Sequence, residues 1–183
     1  MITVIIQNGD PLLRKKAAEV SLADIGTTKL KKILRDMQTA LETQDDGVAL
    51  AAPQIGVSLR IFIVSKAALT LPAELKKRKE MNTAELKKAT GYLVFINPAI
   101  TKLSRDKALL DEGCLSVRPL YGKVKRAKKA TIQAYDEQGN EFTRGASGLL
   151  AQIFQHECDH LEGVLFIDKA TNLRELPQTP AGS

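Results

Sequence analysis

Between Thr27 and Thr43, the residues Leu30, Ile33, Leu34, Met37 and Leu41 recur at intervals of three and four. That spacing lines one face of a helix and predicts an amphipathic segment packed on a core. Asp10-Pro11 predicts a short helical start, with a capping acid followed by proline at the first helical position. Leu59 to Val64 is a nearly continuous apolar run and predicts a buried strand; Tyr92 to Ile96 predicts another. Leu109 to Val117 reads as extended around Gly113. Thr131–Tyr135 and Glu141–Thr143 flank Glu137-Gln138-Gly139-Asn140, a hairpin pattern. Ser147 stands where it caps a last helix running to about Glu162, with Gly163 as the stop. Strands in runs, then a helix, with few β-α-β alternations, place the chain in the α+β class. Neither an internal repeat nor a linker divides it. One domain is expected over residues 1–170, followed at 171–183 by a polar, flexible tail, disordered from Pro177.

Composition narrows the picture. At 183 residues and 44% hydrophobic content, one well-filled core is expected, and 4% aromatic content without Trp makes it aliphatic. Ile2 to Ile6 is too short for a signal-peptide core and has no basic lead-in. No run reaches the length of a membrane span, so a cytoplasmic protein off the membrane is expected. Two cysteines do not make a secreted disulfide framework. The net charge of +6 is uneven: residues 66–91 carry seven Lys/Arg against three acids, and residues 117–129 carry six Lys/Arg and no acid. Such stretches attract polyanions or simply keep a surface solvated. Residues 66–90 are helix-prone without a clear apolar face and read as an excursion between strands.

The chemistry concentrates late in the chain. His156-Glu157-Cys158-Asp159-His160 holds the only two histidines, four residues apart. On a helix, positions i and i+4 share a face, so two imidazoles so placed can bind one divalent metal, with Glu157 beside it to move protons. The reaction class this names is attack of metal-activated water on a carbonyl. A catalytic site takes a third protein ligand. With no further histidine it must be Cys, Asp or Glu. Cys114, in Glu112-Gly113-Cys114-Leu115-Ser116, is the best candidate, because a thiolate suits iron or zinc and Gly113 lets the backbone approach closely. Cys158 projects about 200° away from His156 around the helix and is expected to pack as a small hydrophobe.

Taken together and in order, Gly47–Gln54, Glu112–Ser116 and Gln155–Leu161 resemble the three motifs of the peptide deformylase family. The resemblance covers residues 1–170. Many members carry glycine where this chain has Ala49. The fold it implies is α+β, with mixed or antiparallel sheets wrapped around a central C-terminal helix that carries the His-Glu-x-x-His motif. It implies that Cys114, His156 and His160 bind one divalent metal, with Fe²⁺ native and Zn²⁺, Ni²⁺ or Co²⁺ able to replace it. It further implies that Glu157 is the catalytic acid/base, and that Gln54 and the backbone N–H of Leu115 hold the carbonyl oxygen. Val48, Leu110, Leu149 and Ile153 are the implied walls of a methionine slot, with Gln152 on the same helix face. The peptide is expected to lie extended along Gly47, Val48 and Ala49. Glu112 and Asp159 are candidate partners of the ligating histidines, and Arg126 can neutralise either acid.

The activity so implied is removal of the formyl group from formyl-methionyl peptides and nascent chains. The protein is expected to be a monomer with transient ribosome contact through its basic surface. Two other readings stay open. One is an HExxH metallopeptidase using a downstream acid such as Glu175. The other is a non-catalytic basic ribosome- or RNA-binding relative.

Overall fold

The computed structural model describes residues 4–69 and 83–175. The excursion's central part and the tail from Pro177 lie outside the described residues. Asp10 caps a short 3-10 turn, Pro11–Arg14, by accepting a hydrogen bond from the Leu12 N–H. Helix α1 spans Thr28–Glu42 with Thr27 as its cap, accepting from the Leu30 N–H. Of the five residues the periodicity selects, Leu30, Leu34, Met37 and Leu41 are buried and Ile33 is partly so; Ala40 joins them.

The strands are β1 (Ala49–Ala51), β2 (Ile61–Ser65), β3 (Tyr92–Leu103), β4 (Lys107–Gly113), β5 (Leu120–Ala127), β6 (Lys129–Tyr135), β7 (Glu141–Ser147) and β8 (Thr171–Glu175). They form a five-stranded sheet in the order β1-β2-β3-β6-β7 and a three-stranded sheet in the order β4-β5-β8, every named pair antiparallel. Helix α2 is Thr83–Thr90, at the end of the excursion, and α3 is Gly148–Leu161.

Strand alternation divides the core. In β2, Ile61 and Ile63 face α1, joining Leu30, Leu34, Met37 and Leu41. Phe62 and Val64 face the other way, onto Phe154, Ala151 and Leu161 of α3. Phe62 and Phe95 stack with ring centroids 4.5 Å apart, and Phe154 meets Phe95 edge-on at 5.2 Å. A third cluster, with Leu13, Val117, Val124, Leu165 and Phe166, lies under the three-stranded sheet. Helix α3 therefore runs with one side on the large sheet and another toward β5.

Two expectations need correction. Residues 171–175, assigned from sequence to the tail, form β8 and pair with β5, Tyr121 opposite Arg174. Nothing in the polar Thr-Asn-Leu-Arg-Glu run announces a strand, because every one of its residues is exposed; backbone pairing holds it, helped by Thr171 Oγ1 donating to the Lys123 C=O at 3.3 Å and Arg174 pairing with Asp111 at 3.1 Å. Strand β5 was also hidden, in the stretch read only as basic. Ser147 does sit at the N-cap of α3, but its side chain makes no capping hydrogen bond there.

Candidate metal centre and active site

Helix α3 and the end of β4 build the site. The ligand atoms of Cys114, His156 and His160 all lie within 4.8 Å of one another. Cys114 Sγ is 3.2 Å from His160 Nε2. His156 Nδ1 meets Glu112 Oε2 at 3.0 Å, which leaves Nε2 to face the cluster. A soft sulfur and two imidazoles at this spacing suit a divalent transition metal, so the residues fit the metal that the motif implies. Burial pushes the Cys114 thiol up, but the adjacent imidazoles outweigh it and bring it down to about 5, so the sulfur is present as thiolate.

An ion-pair chain supports the cluster. Arg126 grips Glu112 with two bonds, Nε to Oε1 at 2.7 Å and Nη2 to Oε2 at 2.9 Å, both side chains about 96–97% buried (relative exposure 4% and 3%). Burial works against the Glu112 carboxylate, yet Arg126 and His156 overcome it and hold the group at about 2. Arg126 also donates to Asp159 at 2.7 Å, and Lys169 donates to Asp159 from the other side. Arg126 thus serves both acids at once. Of the two candidate histidine partners only Glu112 touches a histidine; Asp159 points instead to the two cations. Gln155 locks α3 to β5: its amide accepts from the Ala127 N–H at 2.9 Å and donates to the Ala127 C=O at 3.0 Å.

Gln54 is 2% exposed, with Oε1 accepting from the Ala51 N–H at 2.8 Å. That bond fixes the amide so that Nε2 points toward Ser116 Oγ at 3.1 Å and Cys114 Sγ at 3.5 Å. Glu157 is also buried, and among the described residues its Oε2 has no hydrogen-bond partner. Burial is the main cause that pushes its carboxyl up. Cys158, packed against the core, has its thiol pushed up to about 12 by burial.

A cavity of about 290 Å³ opens onto this cluster. Gly47, Val48, Ala49, Gln54, Glu112, Gly113, Cys114, Leu115, Leu149, Ile153, His156 and Glu157 line it. Leu110 does not. The cavity meets β4 at Asp111, Glu112 and Gly113 and stops one residue short of it. Gln152 lines the cavity and is tied down, donating to the Asp111 C=O at 2.9 Å. Ala49 is ordinary strand backbone, so nothing at this position requires glycine. Four lining residues carry no signal in the sequence: Asp46, Asp111, Arg118 and Tyr121. Arg118 pairs with Asp46, and Tyr121 Oη donates to the same carboxylate at 3.5 Å. The Tyr121 ring lies over Gly113, where an added Cβ would sit 2.4 Å from it. No local pattern signals these contacts; only the fold brings the segments together.

Among the described residues, two strands beside the cavity lack a strand partner on one edge. β1 ends the five-stranded sheet and β4 ends the three-stranded one, and both contribute to the same cavity. The family model described as polypeptide deformylase matches residues 2–175. The chain belongs to the peptide deformylase family. It is 41% identical over 169 residues to a peptide deformylase of Halothermothrix orenii, covering 91% of this chain and 92% of that protein. It is 40% identical over 165 residues to the chloroplastic/mitochondrial peptide deformylase 1A of Arabidopsis thaliana, 90% of this chain but 60% of that longer protein. The crystal structure of a peptide deformylase from Legionella pneumophila superposes with a TM-score of 0.76 at 33% identity, covering 94% of this chain and 88% of that one. No helix among the described residues is long and apolar enough to cross a membrane.

Proposed function

We propose that this chain hydrolyses the N-formyl group of formyl-methionyl peptides, releasing formate and a free N-terminus. The observation that carries this reading is Glu157, a buried carboxylate with an unpartnered oxygen, lining the cavity beside Cys114 and His156. A divalent cation held by Cys114, His156 and His160, with Fe²⁺ the native ion and Zn²⁺, Ni²⁺ or Co²⁺ as substitutes, supplies Lewis acidity and an acidified water.

The protein's own groups do the rest. Glu157 takes the proton of the attacking water and passes it to the leaving amine; burial raises its proton affinity, which suits it to accept and then return a proton. Gln54 Nε2 and the Leu115 N–H donate to the carbonyl oxygen as negative charge gathers there. The Ala51 N–H already holds Gln54 Oε1, so the amide is oriented before the substrate arrives, and Nε2 gives up its long 3.5 Å bond to Cys114 Sγ for the substrate oxygen. Glu112 fixes the ring of His156, and Arg126 keeps Glu112 ionised.

Val48, Leu149 and Ile153 form the apolar slot for the methionine side chain. Val48, Ala49 and Leu115 crowd the carbonyl carbon, which admits formyl and excludes acetyl. The peptide backbone pairs with the free edges of β1 and β4, contacts that ignore side-chain identity and so admit many sequences after the first residue. We further assign nascent chains as the substrate of a monomeric, cytoplasmic protein. Its transient contact with the ribosome runs through exposed lysines such as Lys107 and Lys125 on the small sheet.

The test is formate release from formyl-Met-Ala-Ser by anaerobically purified, Fe²⁺-loaded protein, with acetyl-Met-Ala-Ser as control. Comparable turnover of both peptides overturns the exclusion of acetyl, and no release from either overturns the activity. The metallopeptidase alternative loses its support here: Glu175 is an exposed residue at the end of β8, opposite Leu120, and takes no part in the ligand cluster.

A further inference from the structure

Lys87 is a buried cation that the mechanism leaves unused. It lies in α2, at the end of the excursion whose role the family resemblance does not define. Its side chain is 4% exposed, an unusual state for lysine. Nζ donates to the Leu41 C=O at 3.1 Å and to the Gln44 C=O, at the C-terminal end of α1. Both acceptors belong to the negative end of the helix dipole, where a cation is favoured. Glu42, Asp45 and Asp46 surround the charge.

The Gln44 carbonyl is shared. It also accepts from the Gly47 N–H at 3.3 Å, closing the turn that carries Asp46 and Gly47 to the cavity. Gly47 has little freedom to shift: an added Cβ would stand 2.8 Å from Leu41 Cδ1 and 3.1 Å from Leu115 Cδ1. Beyond it, Asp46 reaches across to Arg118 and Tyr121, on the chain leading into and along β5. A single lysine therefore anchors the turn from which both one lip of the cavity and its cross-cleft ion pair depend.

We propose that Lys87 is a positioning residue: by holding the Gln44 carbonyl it sets the turn 44–47 against the cavity, so that the excursion between β2 and β3 shapes the peptide-binding lip. The proposal rests on the deformylase reading, but its failure is separate from that one. Formate release by the unaltered chain tests the activity; only the ratio of variant to unaltered chain tests Lys87.

The experiment compares metal-loaded unaltered protein with Lys87→Met, Asp46→Asn and the double variant, on formyl-Met-Ala-Ser. Loss of charge-assisted bonds at the lip is expected to raise KM about five- to tenfold, with kcat changed by less than about twofold. Amide exchange at Gly47 is expected to quicken in Lys87→Met more than at the strand amides of β2. The Asp46 and Lys87 effects on KM are expected to be non-additive, since both act through one turn. An unchanged KM, a loss confined to kcat, or full additivity overturns the proposal. If Lys87→Met does not fold, Lys87→Gln, which keeps an amide donor without the charge, carries the same three readouts and the same outcomes.

Discussion

The two cysteines of this chain have opposite chemistry, and position alone explains it. Cys114 lies between two imidazoles and is held near 5, whereas Cys158, two residues from His156 but turned to the core, is pushed to about 12 by burial. Alkylation with iodoacetamide at pH 7.5 checks this by peptide mass. The metal-loaded protein should resist, a chelator should expose Cys114 to labelling, and Cys158 should stay unlabelled in both. Glu157→Gln keeps the shape of the site and removes the proton carrier. It should lower turnover by about 10²–10⁴ while elemental analysis finds one metal per chain, as before. His156, Glu157 and His160 were legible in sequence because helix periodicity alone sets their relation. Cys114 needed the added step of counting ligands. The double grip of Arg126 on Glu112 was legible only as a possibility, because it depends on a register between β4 and β5 that places Arg126 opposite Ala108 and Glu112 opposite Gly122.

Among the elements, those with strong local signals came through best. Thr27 and the spacing of five apolar residues define α1 almost to the residue. Gly163 ends α3 for a reason the sequence only half reveals. Its φ is +75°, and an added Cβ would stand 2.5 Å from the Arg14 carbonyl oxygen, so backbone from the distant N-terminal segment closes the space above it. Gly163→Ala should therefore cost about 1–3 kcal/mol or more, from overpacking added to backbone strain, read as a lower urea midpoint with unchanged slope. Strand β5 was hidden because one of its inward positions is occupied by Arg126. With Val124 and Arg126 both buried, its period-two pattern reads as basic rather than apolar. A buried arginine is invisible to hydropathy unless its acid is known.

At the scale of the molecule, ion pairs fasten the N-terminal segment and the residue before β2 to the end of the catalytic helix and the turn that follows it. Arg14 meets Asp168 at 2.5 Å, Lys16 meets Glu162 at 3.1 Å, and Arg60 meets Glu162 at 2.6 Å. Burial slightly opposes ionisation of both acids, but hydrogen bonds from these cations prevail and hold each below its ordinary value of 3.8 or 4.5. The unfolded chain then binds more protons than the fold in this range, so stability is full above about pH 5 and falls as pH drops through about 4 and below. Asp168→Asn should flatten that acid limb in urea titrations at pH 3 to 6 by lowering the neutral plateau toward the acid value, and only slightly, because the pair is largely exposed.

Helix α3 carries Gln155, Glu157 and His160 into the interior, three polar residues in a segment that also holds Phe154 and Leu161. So polar a helix owes much of its hold to what grips it from outside: the Ala127 backbone, the Glu112 carboxylate and the shared cation. Depriving the protein of that cation should then lower its melting temperature in step with chelator concentration, by mass action. Wherever that cation runs short, the first sign of scarcity in this protein would be softness, and only afterwards idleness.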